Sequence, residues 1–289
     1  MADPPRRRKK PAHRWTYSEE TALSVDDVLG SSDGVRALTE YDIDVVFQPI
    51  VDLRTKKLFA VEHLVRSKAD DYPHTGALLS AADEEQAMGR FGRLIRDVGF
   101  RRCPPGMASF VNVHPHELAS RWLVRPDDPM HLHDGAIFIE VTESTALDYF
   151  ALCRDVLQEI CARTGANLVV DDLGAGHSNL LRIIDLEPKV VKLDLALVQG
   201  VAENRRKRIL MRNVVRLCEE LGASVVAEGI ESVDDLKAVI DQGCHFGQGY
   251  LLAKPGHPVP EVVWPEDGPA PSRSEHPPPP MRRFGKPES

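Results

Sequence analysis

"LVVDDLGAGHSNL", residues 168–180, is an apolar run that stops at two adjacent carboxylates and then turns through glycines. Asp171 and Asp172 repel one another unless a cation sits between them or water screens both. A plainer alternative is that Asp172 caps the following helix while Gly174 and Gly176 supply the turn. The same strand-to-acid pattern recurs along the chain, and that recurrence decides the fold. Short apolar runs stand at 45–51, 58–65, 109–113, 136–142, 167–172, 190–194, 224–229 and 246–251. Amphipathic stretches such as "KRILMRNVVRLCEELG" lie between most of them; Ile209, Val214, Val215, Leu217 and Leu221 there approximate one apolar face, with Gly222 as a stop. Strands alternating with helices over roughly 240 residues predict an α/β fold of the (β/α)8 barrel type. Only "DLRTKK" joins the first two runs, too short for a crossover helix, so they are expected to pair antiparallel. The expectation is a modified (β/α)8 TIM-like barrel with one antiparallel strand.

Nearly every run ends near a residue able to bind a cation or a phosphate: Glu62, Asn112, Glu140, Asp171 with Asp172, Lys192, Glu228 and Gln248. A barrel gathers the C-terminal ends of its strands at one face, where active sites of this architecture sit. Each residue alone has a structural explanation as an ion-pair partner, a strand end or a turn. Convergent carboxylates repel one another and are costly to desolvate, so they call for a cation. Oxygen donors with one amide suit hard divalent ions such as Mg2+ or Mn2+. The adjacent aspartates allow one carboxylate to bridge two ions while its neighbour holds the second. Two ions about 3.5–4 Å apart are a recurrent arrangement for phosphoryl-ester hydrolysis.

The chain has 289 residues, 42% hydrophobic and 28% charged, as in ordinary globular proteins. No apolar run approaches the roughly 18 residues of a membrane span, and the basic N-terminus lacks the apolar stretch of a secretory signal. Five scattered cysteines without C-x-x-C pairing argue against a zinc or disulfide framework and fit a reducing cytoplasm. Residues 1–14 carry six Arg/Lys and one Asp, whereas the whole chain is −8. Residues 1–16 are thus expected to be a disordered basic arm, with weak nucleic-acid or lipid contact as the alternative. Residues 255–289 hold 11 of the 22 prolines, and 259–289 are expected to form a disordered tail. The domain is placed at 17–258.

Between residues 34 and 255 the motifs resemble those of the EAL-domain phosphodiesterases, which hydrolyse cyclic di-GMP to linear pGpG. "FQPIVDL" resembles the family's opening strand, and "VEHLVR" stands where E-A-L-x-R is found. "FVNVHP", "IEVTES", "DDLGAGHSNL", "VKLD", "VAEGIES" and "GQGYLLAKP" match the remaining signatures in order. The resemblance implies that Glu62, Asn112, Glu140 and Asp171 ligate a first metal. It gives Asp172 to a second metal and has Glu228 and Gln248 act through metal-bound water. Lys192 would deprotonate or orient the attacking water, and two neighbouring dications would depress its pKa. Gln48 and Arg66 would contact substrate, as would Gln248, while Glu143 and Glu231 would hold the loop after Asp172. Two Mg2+ or Mn2+ ions are implied, with Ca2+ inhibitory. A homodimer through the barrel is implied as well.

His63 replaces the Ala of E-A-L and, by strand alternation, is expected to face away from Glu62. Leu173 replaces a Phe in the loop after the paired aspartates. "HLHD" at 131–134 is expected to be a surface loop. A catalytically silent cyclic di-GMP receptor is the alternative to an active enzyme, and a scaffold acting through the tails is a third reading. No sensor or cyclase domain is expected beside the barrel.

Overall fold

The computed structural model describes residues 34–118, 123–142, 150–174 and 181–266. Asp52 begins the first reversal of the chain: its Oδ1 accepts the amide of Arg54 at 2.9 Å and that of Thr55 at 2.8 Å. Lys56 takes φ 61° to complete the turn. Strand β1 (Ile43–Asp52) thereby folds back on β2 (Lys57–Ser67), with Gln48 opposite Glu62. β1 is also antiparallel to β8 (Phe246–Gly247), so it is the reversed strand expected from the short connection. β3 (Ser109–Asn112), β4 (Ile137–Thr142), β5 (Asn167–Leu173), β6 (Val190–Leu193) and β7 (Ser224–Ala227) pair in parallel, and the sheet closes in sequence order.

The helices cover the outside of this barrel. α1 (Thr75–Glu84) and α2 (Met88–Arg102) follow β2, and α3 (Pro115–Leu118) follows β3. Further on come α4 (Phe150–Thr164), α5 (Leu181–Leu186), α6 (Leu195–Val198), α7 (Arg205–Glu220) and α8 (Val233–Asp241). In α7 the buried face is Met211, Val214, Val215 and Cys218, a strict i, i+3, i+4, i+7 set. The expected face is therefore rotated: Ile209 and Leu221 are exposed, because the sulfur residues Met211 and Cys218 point inward instead. Gly222, at φ 79°, ends the helix as its position predicts.

Two layers fill the barrel interior. The lower is apolar and takes one residue from each strand: Ile50, Ala60, Phe110, Phe138, Val169, Val190, Val226 and Phe246. Phe110 stacks on Phe138 at 4.3 Å between ring centroids, and Phe59 stacks on Phe246 at 4.1 Å. The fully buried rings of Phe110, Phe138 and Phe246 are each worth about 1.5–3 kcal/mol in transfer free energy. Side chains in a strand return to the same face every second residue. Two residues further toward the mouth, the parallel strands present Asn112, Glu140, Asp171, Lys192, Glu228 and Gln248, and β2 presents Glu62. In reversed β1 the corresponding polar residue lies two positions before Ile50, at Gln48.

Two stretches depart from expectation. The last apolar run stops as a strand at Gly247, because residues 249–253 turn: the amides of Leu252 and Ala253 both bond Gly249 O at 3.0 Å. Residues 259–266, placed in the tail by composition, are partly packed, with Val262 and Trp264 against the barrel core and Val263 N donating to Leu252 O at 2.9 Å. The "HLHD" stretch lies at the surface as expected, with Leu132 and Asp134 exposed and His131 and His133 half-buried; Asp128 just before it caps the turn Pro129–His131 and pairs with buried Arg96 on α2. The basic arm and residues 267–289 lie outside the described residues. No helix among the described residues is long and apolar enough to cross a membrane.

Candidate active site

Lys192 stands at the centre of the upper layer, 1% exposed. Its Nζ lies 2.6 Å from Glu140 Oε1, 2.7 Å from Glu228 Oε1, 3.3 Å from Asp171 Oδ1 and 3.5 Å from Glu62 Oε1. Glu62 is shared further: Gln248 Nε2 donates to its Oε2 at 2.6 Å and Asn112 Nδ2 to its Oε1 at 3.3 Å. Gln248 Nε2 also reaches Gln48 Oε1 at 3.0 Å, and Gln48 Nε2 donates to the carbonyl of Ala253 at 3.3 Å. Strand ends up to two hundred residues apart are thus tied into one network.

Simple alternation would turn Asp172 away from Asp171. A register shift in β5 between Val170 and Leu173, with Asp172 at φ 62°, brings it back. Asp is among the few residues that tolerate this left-handed region. Donor atoms of Asp171, Asp172 and Glu228 then lie within 4.8 Å of one another. The helix-cap reading of Asp172 falls on residues 175–180, which are outside the described residues, as is Glu143.

Charge in this layer is unbalanced, with five carboxylates facing one ammonium. Burial raises Glu140 well above the usual carboxylate range, and Lys192 pulls it back only in part. Burial likewise pushes Glu228 up to about 8 against the pull of Lys192. Asp172 rises to about 6 through burial and its neighbour Asp171. Burial disfavours the Lys192 ammonium, yet the surrounding carboxylates outweigh it and hold its pKa well above the ordinary lysine value. The carboxylate ring sets this direction among the side chains alone; the depression expected beside two dications concerns the metal-bound ring. Glu140 Oε2 and Gln248 Oε1 are buried without hydrogen-bond partners. Orphan buried oxygens, convergent carboxylates and the Asn112 amide are a donor set that fits hard divalent cations.

The remaining expected residues lie at the edge. Arg66 is exposed and donates from Nη1 to the Val65 carbonyl at 2.9 Å. Glu231 is exposed after β7, and the loop it is expected to hold lies outside the described residues. His63 does face outward: its ring meets Phe47 edge-on at 5.0 Å and its Nε2 contacts Ser109 Oγ at 3.1 Å. Sequence reasoning missed a buried ion cluster beside the pocket, where Arg96 bridges Glu117 (2.7 Å) and Asp128 (3.0 Å). Nothing local marks Arg96, which reads as one more basic residue on an amphipathic helix.

A barrel mouth ringed by oxygen donors offers a donor set that fits divalent cations. The chain belongs to the EAL domain family, whose model matches residues 33–255. A cyclic di-GMP phosphodiesterase of Pseudomonas aeruginosa, RocR, is 29% identical over 250 residues, covering 81% of this chain and 62% of RocR. Among solved structures, a calcium and cyclic di-GMP complex of Klebsiella pneumoniae BlrP1 matches with TM-score 0.64 and 27% identity. That match covers 77% of this chain and 58% of BlrP1. A manganese and cyclic di-GMP complex of the same protein gives TM-score 0.62 at 27% identity, over 74% and 56% of the two chains. The chain spans less than two thirds of the length of these relatives.

Proposed function

We propose that this protein hydrolyses cyclic di-GMP to linear pGpG by in-line attack of water on one phosphodiester bond, lowering the messenger in the cytoplasm. The observation that carries the reading is the ring of nine polar groups at the strand ends, Asp172 included, in which five carboxylates exceed one ammonium. Glu62, Asn112, Glu140 and Asp171 would hold one Mg2+ or Mn2+, and Asp172 and Glu228 would serve a second. When bound, such ions polarise the phosphoryl oxygens and supply a nucleophile at neutral pH. Lys192 Nζ, fixed between Glu140 and Glu228, donates to the attacking water and orients it. Arg66 pairs with a substrate phosphate as a charged donor. Gln48 and Gln248 position the substrate, with Gln248 Oε1 as the acceptor left over. Glu143 and Glu231 hold the loop after Asp172, and a homodimer through the barrel is the working assembly.

The test incubates the protein with cyclic di-GMP and Mg2+ or Mn2+ and separates products by chromatography. Linear pGpG is expected, Glu62→Gln is expected to lose turnover while keeping its far-UV spectrum, and Ca2+ alone is expected to support little. An intact messenger with folded, magnesium-loaded protein overturns hydrolysis. If equilibrium dialysis then still shows binding, the receptor reading replaces it.

A further inference from the structure

Outside the carboxylate ring, three metal-capable side chains meet on the wall of the same cavity, which measures about 620 Å³ and is also lined by Glu62 and Asn112. Asp83 comes from the last turn of α1; His114 and His116 flank Pro115, the first residue of α3. One donor atom from each lies within 4.8 Å of the others. His116 Nδ1 contacts Asp83 Oδ1 directly, and His114 Nδ1 is 3.9 Å from that same oxygen. The two imidazoles stand edge-on with centroids 5.0 Å apart.

The backbone carrying these histidines is held from beneath. Glu117 Oε1 accepts the amide of His114 at 3.2 Å, and Glu117 Oε2 is gripped by fully buried Arg96 at 2.7 Å. Pro115 fixes its own φ, so the two rings project from a rigid turn. Ligands about 2.1 Å from a tetrahedral ion stand about 3.4 Å apart. An ion about 2.1 Å from each donor therefore needs His114 to close on the Asp83 oxygen by about half an ångström and the direct His116–Asp83 contact to open to admit it. The 3.3 Å bond from the His116 amide to His114 Nδ1 is the contact such a shift would replace.

Donor chemistry separates this cluster from the barrel ring. Carboxylates and an amide suit Mg2+ or Mn2+, whereas two imidazoles with one carboxylate suit Zn2+, Co2+ or Ni2+. We propose that Asp83, His114 and His116 form a second cation site on the pocket wall, selective for imidazole-preferring first-row transition ions. It is independent of the phosphodiesterase reading. A plain His116–Asp83 ion pair is the competing explanation.

The test titrates Zn2+ into the full-length protein in excess Mg2+, which keeps the oxygen-donor ring occupied, and follows the imidazole Cε1–H resonances by NMR. His114→Gln and His116→Gln assign the two signals. Both are expected to shift together and saturate near one equivalent of Zn2+. Asp83→Asn, a near-isosteric change at a half-buried helix end, is expected to keep the fold and to weaken that response about tenfold or more. The proposal is overturned if the two signals move no more than those of His74 and His257, or if Asp83→Asn leaves the titration unchanged. Since no turnover is read, failure here leaves the assignment of hydrolysis untouched, and the converse holds.

Discussion

Replacing Lys192 by Met isolates the role of charge in the barrel. The ammonium has four carboxylate oxygens between 2.6 and 3.5 Å, and the side chains of Lys192 and Glu140 are at most 1% exposed. Methionine keeps most of the volume and removes the charge. Removing one partner of a buried ion pair costs about 3–5 kcal/mol, because the other charge is left without compensation. Each kcal/mol moves the melting temperature of a domain this size by roughly 2–4 °C, so the variant is expected to melt roughly 6–20 °C lower in EDTA. On the proposed function, divalent cations bind the folded ring and not the unfolded chain, and at a hundred times the dissociation constant they would add about 2.7 kcal/mol. The rise in melting temperature on adding Mg2+ is expected to be larger for Lys192→Met than for the parent, since its carboxylates are less neutralised. Circular dichroism melts at matched pH read both quantities. Equal melting in EDTA, or a magnesium response no larger than the parent's, would refute the reasoning.

Two further outcomes follow from contacts away from the ring. His245 Nδ1 accepts the amide of Val225 at 3.1 Å, with Glu219 3.4 Å from Nε2. Burial lowers its pKa, while Asp52 opposes the shift. A histidine held neutral in the fold contributes stability above its unfolded pKa, near 6.5, and loses it as pH falls, by at most about 1.4 kcal/mol per unit. His245→Asn keeps an acceptor and removes the titration, so urea midpoints between pH 6.5 and 5 should fall less steeply than the parent's; parallel slopes would contradict this. Gly249 has no room for a side chain: an added Cβ would lie 2.1 Å from the Ile230 carbonyl. Gly249→Ala should therefore cost about 3 kcal/mol in chemical denaturation, and a loss below 1 kcal/mol (about a fivefold change in the folding constant) would mean that the turn yields.

The barrel was legible because apolar and polar residues alternate at a fixed offset. Phe110 with Asn112, Phe138 with Glu140, Val169 with Asp171 and Val190 with Lys192 each repeat one interior layer above another. The reversal of β1 was legible from the brevity of its connection to β2. What escaped depends on backbone geometry or on pairings across space. The left-handed residue that turns Asp172 beside Asp171 follows from a register shift in β5, not from residue type. The buried face of α7 was misplaced because Met211 and Cys218 compete with Ile209 and Leu221 for the same stripe. Arg96 with Glu117 and Asp128, and Asp83 with the two histidines, meet across 21 to 33 residues of sequence.

Anomalous diffraction from crystals of the protein grown with Mn2+ tests the central claim most directly. The account expects two peaks at the barrel mouth, sharing Asp171, with Glu62, Asn112 and Glu140 around one and Asp172 beside the other. A mouth without a manganese peak, in crystals whose Glu62, Glu140 and Asp171 are ordered as described, would contradict it.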